Sequence, residues 1–201
     1  MGGNVWERLK SCYPPIIELI PVGLIGWGIY VLVSGLEEMA LLMPVDFSFF
    51  GKPTVLATKN PLILWSYISL AAALYAIFSL ISYYVLLPDD PRELIKLPAD
   101  RATPLDFQEA QAIQRSWVRS FYALKTLTVT NLIYRLWGTV WISLTKWDSL
   151  GLWPWLTVIL MVLVVLRPLY LLTKTISAHL VRASVGETST SSEDKNRDLG
   201  T

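Results

Sequence analysis

The sequence predicts an all-α integral membrane protein with four transmembrane helices and an amphipathic interfacial helix before the third. Composition is the first sign: 53% of the 201 residues are hydrophobic, and the mean hydropathy is +0.46. Only 16% of the residues are charged, against about 25% in a typical soluble domain. The 17 Lys and Arg are balanced by 16 Asp and Glu, which excludes a strongly basic nucleic-acid-binding protein.

Four apolar stretches supply the predicted spans. A helix needs about 20 mostly apolar residues to cross the hydrocarbon core, and we assign TM1 to 16–43, TM2 to 62–87, TM3 to 126–147 and TM4 to 155–173. TM3 is the least apolar, since an arginine at a helix centre costs about 2.5–3.5 kcal/mol on the insertion scale. The remaining segments are a cytoplasmic N-terminal segment 1–15, an external loop 44–61, a cytoplasmic loop 88–125, an external turn 148–154 and a cytoplasmic, largely disordered tail 174–201.

The cytoplasmic loop contains the predicted interfacial helix, at 105–124. Thr103 and Pro104 form a helix start of the capping type, and apolar side chains then recur at helical spacing. They are Ala110, Ile113, Trp117, Phe121 and Leu124. Glutamine and arginine lie between them, which favours a helix that lies in the membrane interface and leads into TM3.

Cationic residues set the predicted orientation. Twelve Lys and Arg fall on the side that holds the N-terminus, the loop 88–125 and the tail, whereas Lys52, Lys59 and Lys146 fall on the other side. Cytoplasmic loops carry the excess of Lys and Arg. We therefore expect both termini in the cytoplasm, or on the equivalent positive side of an organelle that the sequence does not specify.

Polar side chains recur every fourth residue along TM3, at Asn131, Arg135, Thr139 and Ser143. This spacing puts them on one slowly drifting helix face, and in lipid such a face must contact protein or water. One interpretation is an interhelical polar seam, with Arg135 paired to a carboxylate or to carbonyls. The other is a ligand or ion path with Arg135 as the anion anchor. Glu18 is an acidic residue inside TM1, but it lies nearer the cytoplasmic end than Arg135 does.

Another intramembrane charge, Arg167, precedes Pro168 in TM4. Pro168 has no N–H to donate to the carbonyl of Val164, so it can kink the helix. We expect the long side chain of Arg167 to extend toward the cytoplasmic headgroups.

Small residues in TM1 and one thiol before it are further candidate sites. Gly23, Gly26, Gly28 and Gly35 allow a second helix to approach closely, so we assign them to helix packing, with a backbone-lined ligand groove as the alternative. Cys12 is the single cysteine. Cysteines beside a span can be S-acylated, and an inert thiol is the alternative.

Residues that bind metals or cofactors are sparse. One cysteine and one histidine, His179, cannot form a Cys/His metal site, and no nucleotide-binding or metalloprotease motif occurs. The acidic run Asp89-Asp90-Pro91-Arg92-Glu93 has a spacing that can hold Mg²⁺ on a diphosphate, but its prolines oppose a one-face array and favour a turn. We predict no metal ion and no cofactor, and the sequence is compatible with a bound lipid.

The leading functional hypothesis is a non-catalytic accessory, assembly or scaffold subunit of a larger membrane complex. Packing glycines, a polar stripe and many aromatic residues suit contacts with other transmembrane subunits or with copies of the same chain. A homo-oligomeric channel or carrier that uses the TM3 stripe is the alternative. A lipid-handling membrane enzyme that uses the acidic loop is the second alternative.

Overall fold

The computed structural model describes residues 5–88, 90–94 and 106–197. Within them the chain forms five α-helices, two strands and two short 3₁₀ turns. The helices are α1 (Val5–Cys12), α2 (Leu19–Gly35), α3 (Pro61–Tyr84), α4 (Phe107–Ser143) and α5 (Trp153–Arg197); the strands are β1 (Leu42–Phe47) and β2 (Pro53–Thr58); the 3₁₀ turns are Pro15–Glu18 and Pro91–Leu94.

Three helical segments are long and apolar enough to cross a membrane. They are Pro15–Gly35, Pro61–Tyr84 and Trp153–Ala178, and they overlap three of the four predicted spans. Their outward faces carry large exposed apolar side chains, as a lipid-facing surface does. The chain is therefore compatible with a membrane protein.

The described chain is mostly helical, as predicted, but the segment after α2 forms a β-hairpin, so the chain is not all-α and the helix predicted to continue to residue 43 ends at Gly35. The antiparallel pairing runs from Leu42 opposite Thr58 to Phe47 opposite Pro53. Gly51 turns the chain with a φ of 73°, a left-handed conformation that glycine adopts without strain. Val55 and Thr54 suit a strand, and their pairing depends on a partner segment that hydropathy alone does not reveal.

The hairpin is fixed to one end of the helix bundle, which we call the hairpin end. The Leu150 N–H, in the connection between α4 and α5, donates to the Gly51 carbonyl over 2.8 Å. Lys59 Nζ donates to the carbonyl of Leu36 over 2.8 Å, at the end of α2. Met43 of β1 is fully buried in the core with residues of α2, α3 and α4. The opposite end, where α1 and the start of α4 lie, is the α1 end.

Helix α4 lies at the centre, in contact with α2, α3 and α5. Helices α2 and α4 run parallel, and two glycines let them approach. A Cβ on Gly28 would lie 2.7 Å from Ile133 Cδ1, and one on Gly35 would lie 2.6 Å from Val140 Cγ1. Both pairs have the same sequence offset, so the two helices keep one register over two turns.

Residues 107–124 of the predicted interfacial helix and residues 126–143 of TM3 are parts of one continuous helix, α4, so a separate interfacial helix is not confirmed. The predicted helix start at Thr103 and Pro104 lies outside the described residues. From Phe107 to Trp137 the sequence has no Gly or Pro to interrupt it. Two of the apolar residues assigned to the interface, Ala110 and Ile113, are buried and pack against Trp117 and against Leu172 of α5. Both side chains therefore lie in the interior of the helix bundle.

Helix α5 continues through Arg197, so the predicted tail is helical as far as that residue, whereas the end of TM4 at 173 stays a prediction. No proline follows Pro168 in α5 and only Gly186 breaks the run of helix-compatible residues. Residues 198–201 of the predicted tail lie outside the described residues. Pro168 itself lies inside the helix and is buried.

Candidate functional site

A buried ion pair joins the start of α2 to the middle of α4. Glu18 ends the 3₁₀ turn that leads into α2, and Lys125 lies on α4. Lys125 Nζ lies 2.5 Å from Glu18 Oε2, and the exposed fractions of the two side chains are 2% and 21%. Two opposite charges removed from water are stable only when their remaining hydrogen-bonding capacity is also satisfied.

Tyrosine and serine side chains from two segments, α3 and the residues before the 3₁₀ turn, satisfy that capacity. Tyr75 on α3 donates its hydroxyl to Glu18 Oε2 over 3.2 Å, and the Tyr13 hydroxyl donates to Glu18 Oε1. Lys125 Nζ also donates to Ser79 Oγ over 3.2 Å and lies 4.7 Å from the centre of the Tyr75 ring, within the range of a cation–π contact. The cluster therefore holds α2, α3 and α4 together.

Tyr13 lies just before the 3₁₀ turn, outside the three apolar spans. Burial raises the pKa of its hydroxyl well above the ordinary 10.0, and the hydrogen bond to the Glu18 carboxylate raises it further. The neutral hydroxyl is the form that donates to Glu18. Tyr13 also stacks on the Tyr122 ring, with 5.0 Å between ring centres.

The sequence identified Glu18 but not its partner. Lys125 appears in the sequence as the last cation of a cytoplasmic loop, and Arg135 as the cation with which Glu18 was compared. The pair follows from the register in which α4 packs against the start of α2. The same register brings Tyr122 beside Ile17, where the Tyr122 hydroxyl donates to the Ile17 carbonyl over 2.7 Å.

The polar stripe on α4 contacts groups of the same chain. Asn131 Nδ2 donates to the Pro154 carbonyl of α5 over 2.9 Å and to the Thr157 hydroxyl. Arg135 Nε donates to Asn131 Oδ1 over 3.1 Å. This geometry favours an interhelical seam at the hairpin end of α4 and α5.

Further along the stripe, the Ser143 side chain bonds to the backbone of its own helix. Ser143 Oγ donates to the Thr139 carbonyl over 2.8 Å. The hydroxyl oxygen of Thr139 is buried and has no hydrogen-bond partner among the described residues. Asn131, Arg135 and Ser143 each donate a hydrogen bond within the chain, which is the behaviour expected of a seam.

The four glycines assigned to helix packing divide into two pairs. Gly28 and Gly35 lie against α4, as described above. Among the described residues, no atom comes within 4 Å of a Cβ built on Gly23 or Gly26. There is thus open space for a side chain at these two positions in that part of the chain.

A groove with three arginines lies between α4 and α5, toward the α1 end. Its volume is about 340 Å³. Its polar lining residues are Arg115, Ser116, Arg119 and Ser120 of α4 and Arg167 of α5. The sequence singled out only Arg167, because the other four residues come together with it through the packing of two helices.

A second cavity, of about 480 Å³, is mostly apolar and lies between α2, α4 and α5. Tyr134, Trp137 and Trp153 line one side of it. Trp137 stacks on Trp147, with 4.8 Å between ring centres, and this aromatic cluster surrounds the connection from α4 to α5. Tryptophan prefers the headgroup level of a bilayer.

The remaining candidates do not form a reactive centre in the described part of the chain. Cys12 is 1% exposed and packs with Leu86, Leu87 and Val118, which favours the inert thiol over S-acylation. Asp90 accepts hydrogen bonds from Arg92 Nε over 3.0 Å and from Arg92 Nη2 over 2.7 Å, and this contact lowers the pKa of Asp90. Among the described residues no group of three His, Cys, Asp or Glu could hold a metal ion, and Asp89 and the side chain of His179 lie outside that description.

No known family, curated protein or solved structure matches this chain. Its function is therefore argued from its own residues.

Proposed function

We propose that the chain crosses the membrane four times, with α4 as the third span in chain order. The support is its position: α4, the long helix that is not among the three candidate apolar spans, is in contact with α2, α3 and α5, which supply them. In this arrangement the buried Lys125 and Asn131 face protein, as intramembrane polar groups must. At 1.5 Å per residue α4 is about 55 Å long, more than the roughly 30 Å hydrocarbon core, so its first turns extend beyond the lipid at the α1 end.

Four spans put both termini on the α1 end, the cation-rich side in the count of Lys and Arg. Labelling of single cysteines with a membrane-impermeant maleimide in sealed vesicles tests this. In a Cys12→Ala background, we expect Gly3→Cys and Thr201→Cys to react from one side and Ser149→Cys to react from the other. Labelling of the two ends from opposite sides would refute the topology.

The function that we propose is that of a non-catalytic accessory, assembly or scaffold subunit of a membrane complex. The observation that carries it is the use of the polar groups in α4: Lys125, Asn131 and Arg135 each bind groups of the same chain. Catalysis or conduction needs polar groups that remain available to a substrate or an ion. Here the corresponding groups stabilise the arrangement of the helices.

The outward face of α2 is where we expect a partner helix. Gly23 and Gly26 are open on that helix, and Trp27 and Tyr30 are exposed beside them with 5.5 Å between ring centres. Small residues next to aromatic ones permit a close helix–helix contact in lipid. The partner is either another transmembrane subunit or a second copy of this chain.

Purification in a gentle detergent, followed by native mass spectrometry and protein identification, tests the proposal. We expect a stoichiometric transmembrane partner whose ratio to the chain falls in Gly26→Leu. Ala73→Leu is the matched control, since it adds the same side chain to an exposed position of α3. A chain that purifies alone as a monomer, or equal retention by both variants, would contradict the subunit function.

Ion flux through liposomes separates the subunit from the homo-oligomeric channel. A subunit shows no flux above that of empty liposomes, in the wild type or in Arg135→Leu. A channel with Arg135 on its path shows flux whose ion selectivity changes in that variant, a result that would overturn the proposal.

A further inference from the structure

We propose that the groove between α4 and α5 binds a phosphate group, supplied by the headgroup of an anionic phospholipid. The cationic groups of the groove are the guanidinium groups of Arg115, Arg119 and Arg167. Arginine is the side chain best suited to phosphate, because its planar fork can donate two parallel hydrogen bonds. None of the described residues that line the groove is acidic, so no carboxylate in the lining neutralises the cluster.

The donors in the groove are largely uncommitted within the described residues. Arg115 Nε is buried and has no hydrogen-bond partner among them. An unpaired buried donor of a charged group is costly, and a bound anion removes that penalty. Arg119 is held by one bond, from its Nε to the Cys12 carbonyl over 2.7 Å, which fixes the guanidinium while its terminal nitrogens stay able to donate. Ser116 and Ser120 add two hydroxyl groups on the same face of α4.

The depth of the groove favours a lipid as the source of the phosphate. This step rests on the proposed four-span topology. From Trp141, in the aromatic cluster at the hairpin end, to Arg119 there are 22 residues of α4, or about 33 Å of helix. The hydrocarbon core is about 30 Å thick, so Arg119 lies at the opposite headgroup level.

The apolar residues of the groove suit the rest of a lipid molecule. Val164 and Leu171 lie on α5, one turn before and one turn after Arg167. Val164 lies on the hairpin side of Arg167, toward the lipid interior, and Leu160 and Leu163 beside it are exposed on the outside of the bundle. An acyl chain can follow this surface into the hydrocarbon core while the phosphate stays among the arginines at the headgroup level, toward which the side chain of Arg167 extends.

Native mass spectrometry of the full chain from nanodiscs of phosphatidylcholine doped with phosphatidic acid tests the inference. We expect one retained phosphatidic acid per chain in the wild type. Retention should fall by about tenfold or more in Arg115→Gln and in Arg167→Gln, because a hydrogen bond to a charged group contributes about that factor. Lys174→Gln is the matched control: it removes an exposed cation of α5 that does not line the groove, and it should retain the lipid.

Two further measurements distinguish a lipid phosphate from free inorganic phosphate and show why a variant loses the lipid. Titration of the detergent-solubilised chain with inorganic phosphate should give weak or no binding; phosphate binding with no lipid retention would overturn the assignment to a lipid. Arg167→Lys keeps the charge but loses the planar guanidinium group, so we expect it to retain less lipid than the wild type and more than Arg167→Gln. Equal retention by all variants, with unchanged melting temperatures, would refute the site. Lipid retention is read on the purified chain, so its failure is distinguishable from a missing partner or a wrong topology.

Discussion

The ion pair between Glu18 and Lys125 gives the sharpest test of the packing. Replacing Lys125 with Met keeps the length of the side chain and removes the charge, which leaves the Glu18 carboxylate without its cation. Loss of one partner of a buried pair costs about 3–5 kcal/mol. Since Glu18 is 21% exposed and keeps hydroxyl donors from Tyr13 and Tyr75, we expect the low end, about 3 kcal/mol.

A double-mutant cycle separates the interaction energy of the Glu18–Lys125 pair from the effect of losing each side chain by itself. Glu18→Gln alone leaves the Lys125 ammonium buried, whereas the double variant Glu18→Gln/Lys125→Met leaves no charge. We expect the double variant to lose at least about 1 kcal/mol less than the sum of the single losses, beyond the roughly 0.3–0.5 kcal/mol scatter of independent sites. The measurement is denaturant unfolding in mixed micelles, followed by tryptophan fluorescence.

An exposed ion pair provides the matched control. Lys10 and Glu7 are 2.9 Å apart, and their side chains are 46% and 65% exposed. Lys10→Met should cost less than about 1 kcal/mol. If the Glu18 and Lys125 losses are additive, or if Lys125→Met costs no more than Lys10→Met, the reasoning about this buried pair is refuted.

Three more predictions follow from local geometry. Gly35→Ala should destabilise the chain by about 1–3 kcal/mol through overpacking on Val140, because that buried β-branched side chain has one preferred rotamer in a helix, whereas Gly23→Ala, with open space, should be neutral or stabilise it by up to about 1 kcal/mol; equal effects in thermal unfolding would contradict the α2–α4 contact. Asn131→Leu should cost about 0.6–1.7 kcal/mol because it removes the bond to the Pro154 carbonyl, and unchanged unfolding would argue against the seam. Tyr13 has a pKa raised above 10.0 in the folded state, so the folded state holds its proton more tightly; that stability is present below pH 10 and is lost as the pH rises above it. Tyr13→Phe should therefore flatten the alkaline fall in stability, and an unchanged slope would contradict the assignment.

Hydropathy predicted the apolar helices well because it is a local property of the sequence. The described α3 runs from Pro61 to Tyr84, close to the predicted 62–87, and no charge interrupts it. The hairpin was missed since the pairing of Leu42 with Thr58 depends on two segments that are each ambiguous alone. The end of TM1 was misjudged for the same reason, because Met39 and Met43 are apolar but pack as core residues beyond the helix.

The candidate sites were less predictable than the helices because they depend on helix register. Glu18 is separated from Lys125 by 107 residues, and Arg115 meets Arg167 only because α4 packs against α5. Single positions such as Arg135 and Asn131 were visible as polar residues in an apolar stretch. Their partners were not, since a shift of one residue in the register of α4 turns its face by about 100° and would give each residue a different neighbour.

The attachment of the hairpin has a mechanical consequence. Main-chain and lysine hydrogen bonds tie β1, β2, the end of α2 and the α4–α5 connection into one clamp at a single end of the bundle. At the other end, Leu172 of α5 packs against the buried Ala110 and Ile113 of α4. The arginine groove therefore spans the interval between two points at which α5 is fastened to α4, and both attachments set its width.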